Sequence, residues 1–139
     1  MNTYKNFYNS LGDKVNQKWN QINVEQFITP RDKAVRDIVY TITSGWSDPS
    51  DWNEFWTDVL NMYYWVINNI KYNGLYQKLP NNASEDLDFC NEMWQFPDET
   101  LMLRQGDCED MAILLCSMIR CYSNTKCLAE CIIIEFFTF

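Results

Sequence analysis

The segment with the clearest chemical potential is Gly106-Asp107-Cys108-Glu109-Asp110, in which a cysteine is surrounded by acidic residues. A glycine followed by Asp107 predicts the start of a helix that Asp107 caps, with Asp110 three residues later as in a capping box. Cys108 then lies in the first helical turn, where the helix dipole and unpaired N–H groups favour a thiolate. A nucleophilic cysteine commonly takes this position, although a small buried helix residue is the simpler structural interpretation.

The charges around Cys108 oppose its ionisation. Asp107, Glu109 and Asp110 place three carboxylates beside the thiol, and nearby carboxylates raise the pKa of a thiol unless a cation offsets them. The sequence contains no His, which removes the usual general base and the commonest metal ligand. We therefore expect little or no thiol hydrolase or transferase activity from this chain alone.

The composition predicts a single acidic globular protein. The 139 residues carry 11 Lys and Arg against 19 Asp and Glu, and 16% of them are aromatic. A negative surface without a basic cluster repels a polyphosphate backbone, so we expect no nucleic-acid partner. The chain as given has neither an apolar run long enough for a membrane span nor the pattern of a signal peptide, and we expect a soluble, cytoplasmic protein without membrane contact.

Five of the six cysteines lie between residues 108 and 131. An aromatic core does not need disulfides, so we expect reduced thiols. The spacing of Cys116, Cys121, Cys127 and Cys131 lacks the paired CxxC knuckles of zinc sites, and these cysteines are better interpreted as core residues.

Helical periodicity organises the first half of the chain. Apolar residues at three- and four-residue steps predict a helix over residues 4–19, and Thr29-Pro30 predicts the start of a second helix that runs to about Thr43. A long third helix is predicted after Asp51. Its apolar stripe is interpreted as core rather than as the lining of a ligand groove, and it consists of Trp52, Phe55, Trp56, Val59, Leu60, Tyr63, Ile67 and Ile70.

The second half of the chain predicts a long connection over residues 72–97, with one short helix over residues 85–90. A further short helix is predicted over residues 98–104, ended by Gly106, and the helix capped by Asp107 continues to Tyr122. The β-branched and aromatic run from Leu128 to Phe139 predicts a strand. A lone strand leaves its N–H and C=O groups unpaired, so we expect either strand-pairing self-association or a sequence that stops before its natural end.

The segment from Trp94 to Leu115 resembles the nucleophile motif of the transglutaminase-like superfamily, and most closely its prokaryotic cysteine-proteinase branch. The likeness consists of Trp94 and Pro97, then Glu99-Thr100-Leu101, the motif over residues 106–110, and an apolar helix that ends in Met118-Ile119-Arg120. Residues 65–72 are similar to the helix that precedes the core in such proteins, so the likeness covers residues 60–139.

This resemblance implies an α+β fold, mainly helical, in which the helix of Cys108 packs on a short or incomplete antiparallel sheet. It implies a helical N-terminal extension over residues 1–50 and a transglutaminase-like core over residues 51–139 that is incomplete at its C-terminus, within one compact unit. Cys108 matches the catalytic nucleophile, whereas no residue matches the His or the Asp of the family.

The resemblance also suggests binding residues. Trp94 matches a position near the active-site cleft, although it is equally consistent with a core anchor. Asp107 and Asp110 match a place where some members bind calcium beside the nucleophile, although a helix cap and a first-turn acid are the simpler interpretation. We therefore assign no cofactor and no metal, and keep calcium at Asp107 and Asp110 as the alternative.

The function that the resemblance implies is that of a thiol hydrolase or acyltransferase. It would act on peptide or protein amides through a thioester on Cys108, with His and Asp partners from outside this chain. The alternative is a catalytically inactive transglutaminase-like module that binds a peptide or partner through the same cleft. A third possibility is an unrelated acidic helical interaction domain.

Overall fold

A computed structural model describes residues 24–72, 94–124, 126 and 129–131. This part of the chain contains a 3₁₀ helix (Val24–Phe27), four α-helices and two short strands. They are α1 (Lys33–Ile42), α2 (Trp52–Asn69), β1 (Lys71–Tyr72), α3 (Pro97–Leu103), β2 (Gln105–Gly106) and α4 (Cys108–Tyr122). The helices predicted over residues 4–19 and 85–90 lie outside the described residues. So does the strand predicted over residues 128–139, apart from residues 129–131, which form no regular element.

Helix α1 begins later than the sequence pattern predicts. Asp32 is its cap, and its carboxylate accepts the backbone N–H groups of Ala34 at 2.8 Å and Val35 at 3.4 Å. The backbone N–H of Thr29, the predicted cap, instead donates to Ser117 Oγ on α4 at 3.0 Å. The local cap Asp32 therefore begins this helix, three residues after the predicted cap.

The predicted bounds of α2 are confirmed, but its predicted core face is only partly right. Of the predicted stripe, Phe55 and Ile70 are buried and Val59 is partly buried against the core, and Met62 and Val66 complete the buried face. Trp52, at 69% exposure, and Trp56, at 50%, face outwards together with Leu60, Tyr63 and Ile67. Because α2 is apolar on more than one face, its periodicity does not decide which face packs. No helix in the described part of the chain is long and apolar enough to cross a membrane.

The core lies where α1, α2 and α4 meet, and it fixes the position of α4. The cluster contains Val35 and Val39 of α1, Met62 and Val66 of α2, Leu101 of α3, and Leu114, Met118 and Tyr122 of α4. At the end of α4, the Tyr122 hydroxyl donates to Asp58 Oδ2 on α2 at 2.6 Å. Helix α1 thus packs with the later helices, while the predicted division of the chain at residue 50 stays a prediction.

The two strands form a parallel pair, which corrects the antiparallel sheet implied by the resemblance. Lys71 lies opposite Gln105, and Tyr72 lies opposite Gly106. A parallel pair needs a crossover of a dozen or more residues rather than a tight hairpin, and the chain between β1 and β2 is long enough to provide one. The short sheet leads directly into α4, because β2 ends at Gly106, immediately before Asp107, the cap of α4.

Candidate functional site

Cys108 is the first residue of α4, and its side chain is exposed. The capping box predicted around it is confirmed. Asp107 Oδ1 accepts the backbone N–H of Asp110 at 3.3 Å, and Asp110 Oδ2 accepts the backbone N–H of Asp107 at 3.2 Å. These paired hydrogen bonds fix the backbone on both sides of the cysteine, so the thiol projects from a rigid helix start.

Asp110 joins this helix start to the segment that precedes α3. Its side chain is fully buried, and Oδ1 accepts the backbone N–H of Gln95 at 2.6 Å. A Cβ added at Gly106 would lie 2.7 Å from Asp110 Cβ and 2.9 Å from Asp110 Oδ2. The sequence indicated Gly106 as a helix end, but the short helix ends with Arg104 in the left-handed region. Gly106 is required because the Asp110 carboxylate leaves no space for a side chain.

The hydrogen-bonded backbone behind Cys108, formed by residues 95–99 and 106–110, is called the frame below. A second buried acid, Glu99, stabilises it. Its Oε2 accepts the backbone N–H of Phe96 at 2.8 Å, and the Thr100 hydroxyl donates to Gln95 Oε1 at 3.1 Å. Burial raises the pKa of Glu99 to about 8. Sequence reasoning treated Glu99 only as part of a motif. Pro97 at the first position of a helix and Glu99 at the third are a capping signal that could have identified it.

The Cys108 thiol is held in its protonated form by its neighbour. Its Sγ donates to Glu109 Oε2 at 2.9 Å. This hydrogen bond, then burial, then the charges of Glu109 and Asp107 raise the pKa of the thiol above its ordinary value. The positive end of α4 acts in the opposite direction, but the carboxylates dominate. The structure therefore agrees with the electrostatic argument made from the sequence.

Glu109 accepts hydrogen bonds from two acids. Burial alone would raise its pKa, but hydrogen bonds from the Cys108 thiol and from the Asp107 carboxyl group outweigh burial and lower it. Burial and the hydrogen bond to Glu109 raise the pKa of Asp107 to about 7. Near neutral pH the site therefore holds an ionised Glu109 beside a neutral thiol.

Trp94 lies beside this frame. It is half-buried, and its ring meets the edge of the Phe27 ring at a centroid distance of 5.4 Å and an angle of 84°. The next residue, Gln95, carries the backbone N–H that Asp110 binds. This brings the backbone at Trp94 close to the start of α4, while a role for its side chain in binding stays a prediction.

The carboxylates next to Cys108 are engaged with protein donors. Both oxygens of Asp110 accept a backbone N–H, and Asp107 Oδ1 accepts another. Within the described residues, no group of three or more His, Cys, Asp or Glu could hold a metal ion. The absence of a metal at Asp107 and Asp110 therefore stays a prediction, with calcium as its alternative.

A comparison with protein families gives a match to this chain. A family model described as the transglutaminase-like superfamily matches residues 36–123, which include Trp94, Asp107, Cys108 and Asp110. Comparison with curated proteins and with solved structures found no match. The matched residues begin within α1 and continue to the end of α4, so they contain the whole frame around the thiol.

Proposed function

Since the chain belongs to the transglutaminase-like superfamily, we propose that Cys108 is the nucleophile of a thiol hydrolase or acyltransferase that acts on peptide or protein amides. The observation that carries the proposal is an exposed thiol on the first residue of a helix whose start is fixed by two reciprocal hydrogen bonds. Cys108 is the exposed one of the four cysteines that the structure describes. The likeness to the prokaryotic cysteine-proteinase branch supports proteolysis as the first reaction to test.

In the proposed reaction, the Cys108 thiolate attacks the carbonyl carbon of the amide. The C–N bond then breaks, and the leaving amine departs with a proton, which leaves an acyl group on sulfur as a thioester. Water or a second amine releases this group and restores the thiol. The partial positive charge at the start of α4 favours the thiolate before the attack.

The reaction needs a base that this chain does not contain. The sequence has no His, and Glu109 stabilises the protonated thiol instead of taking its proton. The proposal therefore requires a His and an orienting Asp from residues outside this sequence. An imidazolium beside Cys108 would also offset the charge of Glu109, since an opposite charge nearby favours the ionised thiol.

Supplying the missing base in solution tests the proposal. A glutamine-containing peptide is incubated with the protein, with and without free imidazole, and both cleavage of the peptide and release of ammonia are measured. We expect no turnover without imidazole and slow turnover with it. Turnover should disappear in Cys108→Ser, whereas Cys121→Ser, a second thiol on the same helix, should retain it. Turnover that survives in Cys108→Ser would contradict the assignment.

The second candidate is an inactive transglutaminase-like module that binds a peptide or a protein partner. The hydrogen bond from Cys108 to Glu109 favours it, because a thiol held protonated is a poor nucleophile. A binding assay with the same peptide distinguishes the two candidates. The module predicts equal affinity for wild type and Cys108→Ala and no imidazole-dependent turnover.

We propose a peptide or protein partner and a cytoplasmic location for either candidate, with neither nucleic acid nor membrane as a ligand. The acidic composition and the unpaired cysteines of the described residues support this setting. The self-association expected from strand pairing concerns residues outside the described part of the chain.

A further inference from the structure

Two cysteines outside the Cys108 site lie close together. Cys116 is buried on α4, and Cys131 is half-buried in the segment that returns along this helix. Cys116 Sγ is 3.2 Å from the carbonyl oxygen of Ala129, two residues before Cys131. The Cys116 and Cys131 thiols each also perturb the pKa of the other. The two side chains are therefore neighbours in the folded chain.

Arg120 holds this arrangement in place. It lies one helical turn after Cys116, on the same face of α4, and its Nε donates to the carbonyl oxygen of Ala129 at 2.5 Å. Nη2 of Arg120 is also 3.9 Å from Glu25 Oε1. The backbone that carries Cys131 is thus anchored by a second contact, independent of the thiols.

The two thiols differ in acidity. Interaction with the Cys116 thiol, opposed by burial and reinforced by the charge of Arg120, lowers the pKa of Cys131. The same interaction and burial raise the pKa of Cys116. Cys131 is therefore the more readily ionised thiol, and it is also the more exposed of the two. This asymmetry is typical of a thiol pair in which one sulfur attacks and the other resolves.

We propose that Cys116 and Cys131 form a reversible disulfide, with a small-molecule disulfide such as oxidised glutathione as the oxidant. The Cys131 thiolate attacks one sulfur of the oxidant, which releases one thiolate and leaves a mixed disulfide on Cys131. Cys116 then loses its proton to solvent and attacks the Cys131 sulfur, which releases the second thiolate. Two protein thiols are oxidised and one small disulfide is reduced to two thiols.

The disulfide would fasten residues 129–131 to the middle of α4, eight residues from Cys108. Such a separation corresponds to about 12 Å along the helix axis, so oxidation does not consume the exposed thiol. The bond would also close a loop of 16 residues, from 116 to 131, which restricts the unfolded chain. The inference is independent of the function proposed for Cys108.

Equilibration of the intact protein in glutathione buffers of increasing oxidised fraction tests the proposal. After rapid alkylation of free thiols, cleavage at Arg120 and Lys126 separates the peptides of Cys116 and Cys131, and fragmentation spectra identify linked residues. We expect a single internal link between Cys116 and Cys131 and a melting temperature about 5–10 °C above that of the reduced protein. Adding excess reduced glutathione should reverse both changes.

Three variants make the result specific. Cys131→Ser and Cys116→Ala should each abolish the internal link and the rise in melting temperature. Cys121→Ser, on the same helix and half-buried, should leave both intact. The proposal is overturned if Cys131 stops at the mixed disulfide, if Cys116 links to a different cysteine, or if neither thiol is oxidised in the most oxidising buffer.

Discussion

Replacing Glu109 with glutamine tests whether its carboxylate keeps the Cys108 thiol protonated. The amide has the same size and can still accept a hydrogen bond, but it carries no charge. Two unit charges separated by the observed 2.9 Å interact by about 1.4 kcal/mol in the dielectric of water, which is the relevant medium for an exposed thiol. This energy corresponds to a decrease of about one unit in the pKa of Cys108.

The expected change in reaction rate is smaller than the change in ionisation. One pKa unit increases the thiolate fraction at pH 7 about tenfold, while the weaker basicity lowers the reactivity of each thiolate about threefold. In Glu109→Gln, Cys108 should therefore be alkylated by iodoacetamide about threefold faster than in the wild type at pH 7. At a pH where both proteins are fully ionised, the variant should be about threefold slower. A crossing of the two rate profiles is the signature of a charge effect.

The assay measures iodoacetamide labelling of the Cys108 peptide by mass spectrometry over a series of pH values. Glu54→Gln is the matched control. Glu54 lies near Tyr122 at the far end of α4. Tyr122 is about 21 Å from Cys108 along the helix, well beyond the Debye length of about 8 Å at physiological salt. The midpoint of the labelling rate against pH gives the pKa of Cys108. An unchanged pKa in Glu109→Gln, or an equal decrease of this pKa in Glu54→Gln, would refute the reasoning.

The frame behind Cys108 and the helical core support four further predictions. The folded pKa of Glu99, about 8, exceeds its unfolded value of about 4.3, so the native state binds more protons between these values. Glu99 should therefore reduce stability by at most about 1.4 kcal/mol for each unit of rising pH in this window. Urea titrations of Glu99→Gln should lose this slope, and an unchanged slope would contradict the burial argument. Met62 is buried and Leu60 is exposed. In urea denaturation, Met62→Ala should lower the free energy of unfolding by about 2–5 kcal/mol and Leu60→Ala by about 0.5 kcal/mol or less. Equal losses would contradict this orientation of α2. Gly106→Ala should lose about 1–3 kcal/mol, because its Cβ would lie 2.7 Å from Asp110 Cβ, and a variant as stable as wild type would exclude that close approach. Millimolar calcium should leave the melting temperature unchanged, because both oxygens of Asp110 already accept a backbone N–H, and a rise would indicate a calcium site.

The features that sequence predicted well are local ones. The bounds of α2 and α4 and the Asp107–Asp110 capping box depend on residues within one or two helical turns of each other. The same is true of the opposition between Glu109 and the Cys108 thiol, which are adjacent in sequence. Local patterns of this kind can be read from a single chain, because the interacting groups are brought together by the helix itself.

The features that sequence missed depend on contacts between distant residues. The hydrogen bond from the backbone N–H of Thr29 to Ser117 joins residues that are 88 positions apart. The outward orientation of Trp56 depends on which face of α2 the other helices cover. The parallel direction of the sheet depends on the path of the chain between β1 and β2. None of these has a signal in the spacing of neighbouring residues.

The most direct test of the account is the capture of a thioester on Cys108. A glutamine-containing peptide is incubated with the protein and imidazole, the reaction is stopped with acid, and the mass of the intact protein and of its peptides is measured. The account predicts a protein heavier by the peptide minus ammonia, with the added group on Cys108 and none on Cys108→Ser. An adduct on another cysteine, or no adduct while the protein stays folded, would contradict it.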